Sequence, residues 1–245
     1  PRAPNRANSA QRTAGTSDPM TPAPLPPPLP FWLSLLLPPA VIIAALNGGW
    51  ALLLPPLASW GLFSLLDALT GRNEDNPDPS TPDTALGWYR RVTILWVPIQ
   101  AATLFGLIAY MPHATHLATA EKLALFFGVG IVSGTVGINY SHELMHQKSK
   151  AERWLGDILL AMVLYSHFRS EHLRVHHLWV GTPADPVTAR YNEGFHRFFP
   201  RVLHQCRRSA WRTECALLAR RGATLVLLCT PDRPANLDAL PPPSD

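Results

Sequence analysis

The chain alternates long, charge-free apolar runs with shorter polar connectors. Two apolar runs occupy residues 31–46 and 50–66, on either side of a glycine-rich turn at 47–49. A third run covers 92–111 and a fourth covers 123–139. Each run approaches the ~20 residues that a helix needs to cross a bilayer, and the first two show no polar face at helical period. We therefore predict four transmembrane helices arranged as two hairpins.

The chain beyond the fourth run is less apolar and follows a different pattern. Residues 155–168 form an apolar run too short to cross a bilayer, which indicates a helix partly inserted in the membrane. After residue 186 the chain turns basic, and residues 209–218 are amphipathic, which suits either a membrane-facing or a solvated helix. The predicted fold is an all-α integral membrane protein with four transmembrane helices and a shorter membrane-associated helix.

The distribution of charge predicts how this bundle is oriented. The chain has 245 residues, of which 47% are hydrophobic and 16% charged, with a formal net charge of +4. Lysine and arginine occur in the N-terminal tail, in the 67–91 connector and at 148–153, but are absent from the turns at 47–49 and 112–119. Because basic loops stay on the cytoplasmic side, both ends of the four-helix unit are predicted to be cytoplasmic. These flanks account for the net charge, so no nucleic-acid partner is predicted.

Histidines form two clusters after the fourth apolar run. His142 and His146 lie four residues apart, so a helix places both imidazoles on one face, where they can share a metal ion. His172 and His176 repeat this spacing, and His177 points about 100° around the helix toward a second metal or a second edge of the same one. Both clusters are predicted to bind metal on the cytoplasmic side.

Two glutamates accompany the histidines. Glu143 lies inside the first cluster and Glu171 immediately precedes the second, so both are available as ligands, bridges or partners that orient the rings. No cysteine is near either cluster in the sequence. A set of nitrogen and oxygen donors suits iron, zinc, manganese or copper.

The first cluster by itself also fits a different enzyme. His142, Glu143 and His146 form the HExxH pattern of zinc peptidases, in which the glutamate acts as general base. The second cluster argues against this alternative, because one zinc needs one further protein ligand and three more histidines are available. A non-catalytic membrane remnant that binds metal weakly is a third interpretation.

The motif His142-Glu-Leu-Met-His146, followed by Glu171-His172-x-x-x-His176-His177 and Thr182-Pro-x-Asp185-Pro, resembles the first two histidine boxes of the membrane alkane 1-monooxygenases. These alkane hydroxylases belong to the histidine-rich di-iron desaturase and hydroxylase superfamily. Three residues between His172 and His176 match that branch, whereas acyl desaturases usually have two. The resemblance covers roughly residues 25–222 and is strongest over 139–186.

The resemblance implies a function and a set of partners. Such an enzyme uses O2 to hydroxylate the terminal carbon of an n-alkane to a primary alcohol, at a centre of two non-haem iron ions. It receives electrons from rubredoxin and rubredoxin reductase, and it lies in a bacterial-type inner membrane with the active site facing the cytoplasm. Glu143 and Glu171 are expected to orient the iron ligands, which are expected to be His142, His146, His172, His176 and His177.

The same comparison predicts the division of the chain. Residues 1–30 are rich in proline and are expected to form a disordered tail. Residues 31–222 are expected to form the membrane hydroxylase domain without the third histidine box of the family, and 223–245 form an atypical C-terminal tail. We therefore expect an incomplete metal site in a truncated or frame-shifted chain.

Overall fold

The structure, a computed structural model, describes residues 29–70, 81–82 and 85–220. Every regular element within these ranges is helical. The predicted proline-rich tail, most of the polar connector and the C-terminal tail lie outside the described residues.

Four long helices form the body of the described chain. They are α1 (Leu29–Asn47), α2 (Gly49–Leu69), α3 (Gly87–His113) and α4 (Thr119–Met145). All four are long and apolar enough to cross a membrane, which confirms the predicted all-helical fold with four spans. Each helix extends beyond its apolar run. The extension of α4 to Met145 matters most, because it places His142 on the last helical turns.

The two hairpins meet at the turn between α1 and α2. Gly48 has φ 62°, and a Cβ added there would lie 2.7 Å from Cδ2 of Leu117, so this position requires glycine. The Glu121 carboxylate accepts hydrogen bonds from the backbone N–H of Gly49 at 2.7 Å and of Ala118 at 2.8 Å. Glu121 therefore caps α4 and fastens the first hairpin to it.

The bundle core lies between α1, α3 and α4. Trp96 is buried on α3, and its indole N–H donates to Oε1 of Gln100 at 2.7 Å. The fully buried apolar side chains around this pair include Leu37, Val41, Leu125, Leu144 and Leu159. Large apolar side chains on the outer faces, such as Phe105 and Phe127, remain exposed, as expected for helices that contact lipid.

Helix α5 (Lys150–Met162) packs against the end of α4 that carries the first histidine pair. A Cβ added to Gly156 would lie 3.1 Å from the Ser141 carbonyl oxygen and 3.3 Å from the Met145 nitrogen. The Ser141 hydroxyl donates to the Gly156 carbonyl at 2.9 Å. Glycine thus allows the two backbones to approach closely, so α5 supports the histidine-bearing turn.

The boundaries of α5 differ from the predicted helix at 155–168. The helix starts earlier, at Lys150, and ends at Met162. Leu164 then adopts φ 56°, a left-handed conformation that cannot continue a right-handed helix. The apolar run therefore divides into the end of one helix and a turn that leads to the next.

The second histidine cluster lies on α6, which covers residues 168–179. Helix α7 (Phe195–Arg220) packs against its start, where the Ser170 hydroxyl donates to the Glu214 carboxylate. Arg169 forms an ion pair with Asp157, which ties α6 to α5. Helix α7 begins well before the predicted 209–218 segment because its buried stripe is longer, comprising Val202, Cys206, Ala210, Thr213, Ala216 and Leu217.

Candidate metal centre

Four histidine rings from α4 and α6 converge on one point. The Nε2 atom of His172 lies 2.9 Å from Nε2 of His142, 3.2 Å from Nε2 of His146 and 3.0 Å from Nε2 of His177. The ligand atoms of His142, His146 and His172 all lie within 4.8 Å of one another. The His146 and His177 rings are stacked, with centroids 5.0 Å apart and an interplanar angle of 11°.

Hydrogen bonding alone cannot account for this convergence. An imidazole Nε2 carries either one hydrogen or one lone pair, so it forms one strong hydrogen bond in the ring plane and not three. Two ring nitrogens that share an ion at about 2.1 Å lie about 3.0–3.4 Å apart, which is close to the observed spacing. The donor set and its geometry therefore fit a metal ion held by nitrogen ligands.

A wide turn in α6 explains why His177 belongs to this group. Residues His172–His176 form a π-helical turn, in which the N–H of His177 bonds to the carbonyl of His172. Such a turn brings residues five apart, and not four apart, onto one face. The ring that joins His172 is therefore His177, whereas the sequence spacing predicted a pair of His172 and His176.

His176 faces a buried carboxylate on the other side of α6. Its Nδ1 lies 3.1 Å from Oδ2 of Asp185, which is only 2% exposed. Asp185 is fixed in turn by the Val187 N–H at 3.0 Å and the Thr188 hydroxyl at 2.7 Å. A histidine whose Nδ1–H is held by a carboxylate presents Nε2 in a fixed direction, an arrangement typical of metal ligands.

The two glutamates occupy very different surroundings. The Glu143 side chain is 63% exposed, with Oε1 at 3.5 Å from Nδ1 of His142. Glu171 is 1% exposed, and its Oε1 has no hydrogen-bond partner among the described residues. Burial, and next the nearby Asp185, raise the pKa of Glu171 to about 7.

Cys206 on α7 completes the buried side of the site. Its thiol contacts the Glu171 carboxyl, and burial, followed by the charge of Glu171, raises the pKa of Cys206 to about 12. With this pKa the thiol is neutral at pH 7. The group of possible metal ligands that lie close together consists of His142, His146 and His172 and does not include Cys206. Sequence separation hid this contact, since Cys206 lies far along the chain from Glu171.

Three histidines of the cluster, His146, His172 and His177, have a lowered pKa, which favours their neutral form. Burial and the neighbouring rings of His142 and His177 lower the pKa of His172 to about 4. Burial also lowers the pKa of His146 and of His177. Neutral imidazole is the form that binds a metal ion, so the cluster is ready to do so at neutral pH.

The fold and the site together define a polytopic helical membrane protein with a histidine cluster of metal-site geometry. The fatty acid desaturase family model matches residues 119–228, which include both histidine clusters. Alkane 1-monooxygenase 2 of Pseudomonas aeruginosa is 36% identical over 166 residues, which are 66% of this chain and 44% of that protein. The alkane 1-monooxygenase of Pseudomonas putida is 37% identical over 172 residues, 69% of this chain and 42% of that protein.

A third relative, alkane 1-monooxygenase 1 of Alcanivorax borkumensis, is 34% identical over 203 residues, which are 80% of this chain and 50% of that protein. The chain thus spans about half the length, or less, of these curated relatives. Over the matched residues it is similar to the alkane 1-monooxygenases and to the fatty acid desaturase family.

Proposed function

We propose that this protein hydroxylates the terminal carbon of n-alkanes to primary alcohols, using O2 at a centre of two non-haem iron ions. The observation that carries the proposal is the convergence of three Nε2 atoms on His172 at 2.9–3.2 Å. The histidines lie at the end of an apolar helical bundle whose homologues are alkane 1-monooxygenases.

We propose two places for metal among the described residues. His142, His146, His172 and His177 would hold one ion, and His176, fixed by Asp185, would contribute to a second. Bound iron would supply the reduction and activation of O2. We propose that Glu143 orients the His142 ring from Nδ1 and that Glu171 acts as a positioning residue behind α6.

An apolar groove on the bundle supports a water-insoluble substrate. It has a volume of about 660 Å³ and is lined by residues of α1, α3 and α5, among them Trp32, Pro98 and Leu155. Leu155 adjoins Gly156, the residue that seats the histidine-bearing turn of α4. A groove of this apolar character could take up an alkane dissolved in the bilayer.

The surroundings of the cluster also support the proposed partners and location. Lys148, Lys150 and Arg153 follow the histidine-bearing end of α4 directly, and by the positive-inside rule they support our proposal that this end faces the cytoplasm at a bacterial-type inner membrane. His146 and His177 are exposed at the rim of the site. We propose that rubredoxin, recharged by rubredoxin reductase, delivers electrons at this rim.

The geometry favours an oxygenase over a zinc peptidase. A peptidase of the HExxH type needs two histidines and one further protein ligand, with an open position for water. Here both His172 and His177 lie beside the first pair, and His176 forms a hydrogen bond with Asp185. The number of donors exceeds what one catalytic zinc requires.

Metal analysis of the purified protein tests the proposal. Iron(II) should bind the wild-type chain under anaerobic conditions, and His172→Ala should weaken binding more than about 100-fold, because even residues behind metal ligands contribute 10–100-fold. His196→Ala, on the exposed side of α7, is the matched control and should bind iron as the wild type does. Membranes supplied with rubredoxin and its reductase should convert n-alkanes to primary alcohols, measured by gas chromatography.

Two results would contradict the proposal. One is a single zinc ion per chain that survives His177→Ala, which would favour the peptidase. The other is iron binding that is equally weak in the wild type and His172→Ala, which would indicate a non-catalytic remnant.

A further inference from the structure

A second concave site lies between α6, the turn that follows it and α7, on a wall of α6 that bears no metal-facing histidine. Its cavity has a volume of about 350 Å³, within the size range of small-ligand sites. Arg174 from α6 lines it together with Arg208 and Arg212 from α7. Among the described residues that line this cavity, none is acidic.

The remaining polar groups of the cavity add hydrogen-bond donors. Gln205 accepts a hydrogen bond from Arg201 at its Oε1, which leaves the amide NH2 to donate. Trp179 contributes an indole N–H, and Thr213, a buried residue, contributes a hydroxyl. Three arginines and these neutral donors therefore line a space that has no acidic side chain among its lining residues.

The arginines of α6 and α7 near the cavity differ in their partners. Arg201 is fully engaged, because it forms an ion pair with Glu193 at 2.6 Å and donates to the carbonyls of Pro186 and Thr188. Arg174 and Arg212, in contrast, have no carboxylate partner in the part of the chain that the structure describes. Helix α7 as a whole has six arginines and one glutamate, so its field attracts anions.

We propose that this cavity binds a phosphate group, carried either by an anionic lipid headgroup or by inorganic phosphate. A phosphate presents several charged oxygens in a tetrahedral arrangement, and guanidinium groups recognise such oxygens with paired hydrogen bonds. Phosphate therefore supplies the acceptors and the negative charge that the cavity lacks. The proposal is independent of the oxygenase function, since it involves none of the histidines.

Binding measurements on the full-length, detergent-purified chain test the proposal. Inorganic phosphate is titrated by equilibrium dialysis at constant ionic strength, with chloride as the competing anion. Lipid is tested separately by native mass spectrometry after release from nanodiscs that contain phosphatidylcholine and phosphatidylglycerol. Both measurements are made on the wild type, Arg174→Gln, Arg212→Gln and Arg212→Lys.

Arg197→Gln is the matched control, because Arg197 is exposed on α7 but does not line the cavity. Each cavity variant to glutamine should weaken binding about tenfold or more, which is the usual effect of losing a charge-assisted hydrogen bond. Arg212→Lys should give an intermediate affinity, since lysine keeps the positive charge but cannot form the paired hydrogen bonds of a guanidinium group. All variants should keep the thermal midpoint of the wild type, which excludes misfolding.

The two arms identify the source of the phosphate. Saturable phosphate binding that is lost in the cavity variants supports a free anion, and selective loss of phosphatidylglycerol adducts supports a lipid headgroup. The proposal is overturned if neither ligand binds saturably, or if Arg197→Gln weakens binding as much as Arg212→Gln does.

Discussion

Asp185 and Glu171 are both buried carboxylates beside the histidines, yet only Asp185 has both of its oxygens engaged. Asp185 is 2% exposed and accepts from His176, from the Val187 N–H and from the Thr188 hydroxyl. Glu171 is 1% exposed, and its Oε1 has no partner among the described residues. One carboxylate is therefore built to hold a ring in place, while the other keeps an oxygen available for a proton or a cation.

The backbone around each residue explains the difference. Asp185 lies in a turn, where nearby N–H groups and a threonine hydroxyl are free to point at its side chain. Glu171 lies within α6, where the backbone N–H groups are consumed by the helix itself. A helical glutamate must find its partner across an interface, and α7 supplies only the Cys206 thiol.

Of the substitutions that test this comparison, Asp185→Asn should cause the largest loss of affinity for iron(II). The amide keeps one acceptor oxygen and places an NH2 group among donors, so the His176 ring loses its fixed orientation. We expect the affinity for iron(II) to fall 10–100-fold, as found when partners behind metal ligands are removed. Anaerobic titration with iron(II) measures the change.

Asp157→Asn is the control for Asp185→Asn, because Asp157 pairs with Arg169 and has no contact with a histidine among the described residues. It should leave iron affinity unchanged. If both variants lose iron affinity equally, Asp185 acts through the general stability of the fold. The proposal that it orients the His176 ring is then wrong.

Gly156→Ala should have the next largest effect, and it separates the two histidine pairs. The added Cβ would meet the Ser141 carbonyl at 3.1 Å and push α5 away from the turn that carries His142 and His146. Overpacking of this kind costs about 1–3 kcal/mol. The thermal midpoint in detergent should fall and the first histidine pair should bind metal less tightly.

Gly134→Ala provides the comparison for Gly156→Ala. Gly134 lies on α4, and a Cβ there would meet nothing within 4 Å. Because alanine favours helix by up to about 1 kcal/mol over glycine, this variant should be neutral or stabilising. An equal loss in both variants would show that close packing at Gly156 is not what seats α4.

Glu171→Gln should have a smaller effect than Asp185→Asn. The amide has nearly the same shape, and one oxygen of the carboxylate is unpartnered, so the free energy of unfolding should change by less than about 1 kcal/mol. Iron affinity should fall less than in Asp185→Asn. If Glu171→Gln abolishes iron binding, the unpartnered oxygen of Glu171 is itself a metal ligand. Glu171 would then contribute more to iron affinity than Asp185 does.

Local patterns in the sequence predicted the spans, and they predicted less of the site. Charge-free runs identify helices such as α1 and α3 because lipid burial depends on composition over about 20 residues. The pair His142 and His146 follows from ordinary helical spacing. The pairing of His172 with His177 does not, because it depends on a π-helical turn.

Contacts between distant segments account for the rest of the site. Cys206 reaches Glu171 only because α7 packs on α6, and no local pattern indicates that contact. In the sequence, Asp185 stands out only as part of the Thr182-Pro-x-Asp185-Pro motif. Its role depends on how that turn folds back onto His176, which residue spacing does not encode.

The smallest predicted effect concerns the support of the Asp185 turn, and it is present at neutral pH and lost in acid. Arg201 donates to the carbonyls of Pro186 and Thr188 and pairs with Glu193, so this arginine holds the turn against α7. Hydrogen bonds from Arg201, and next from the backbone of Arg190, lower the pKa of Glu193 from 4.5 to about 2.

A carboxyl whose pKa is lower in the folded state contributes stability above its unfolded pKa and loses it as the pH falls through the folded value. The Glu193 contribution should therefore be complete above about pH 4.5 and should disappear toward pH 2. We expect the wild type to have the higher thermal midpoint at neutral pH, and the difference from Glu193→Gln to close across that window. A difference that persists at pH 2 would mean that Glu193 acts through packing, and that the turn holding Asp185 does not depend on this ion pair.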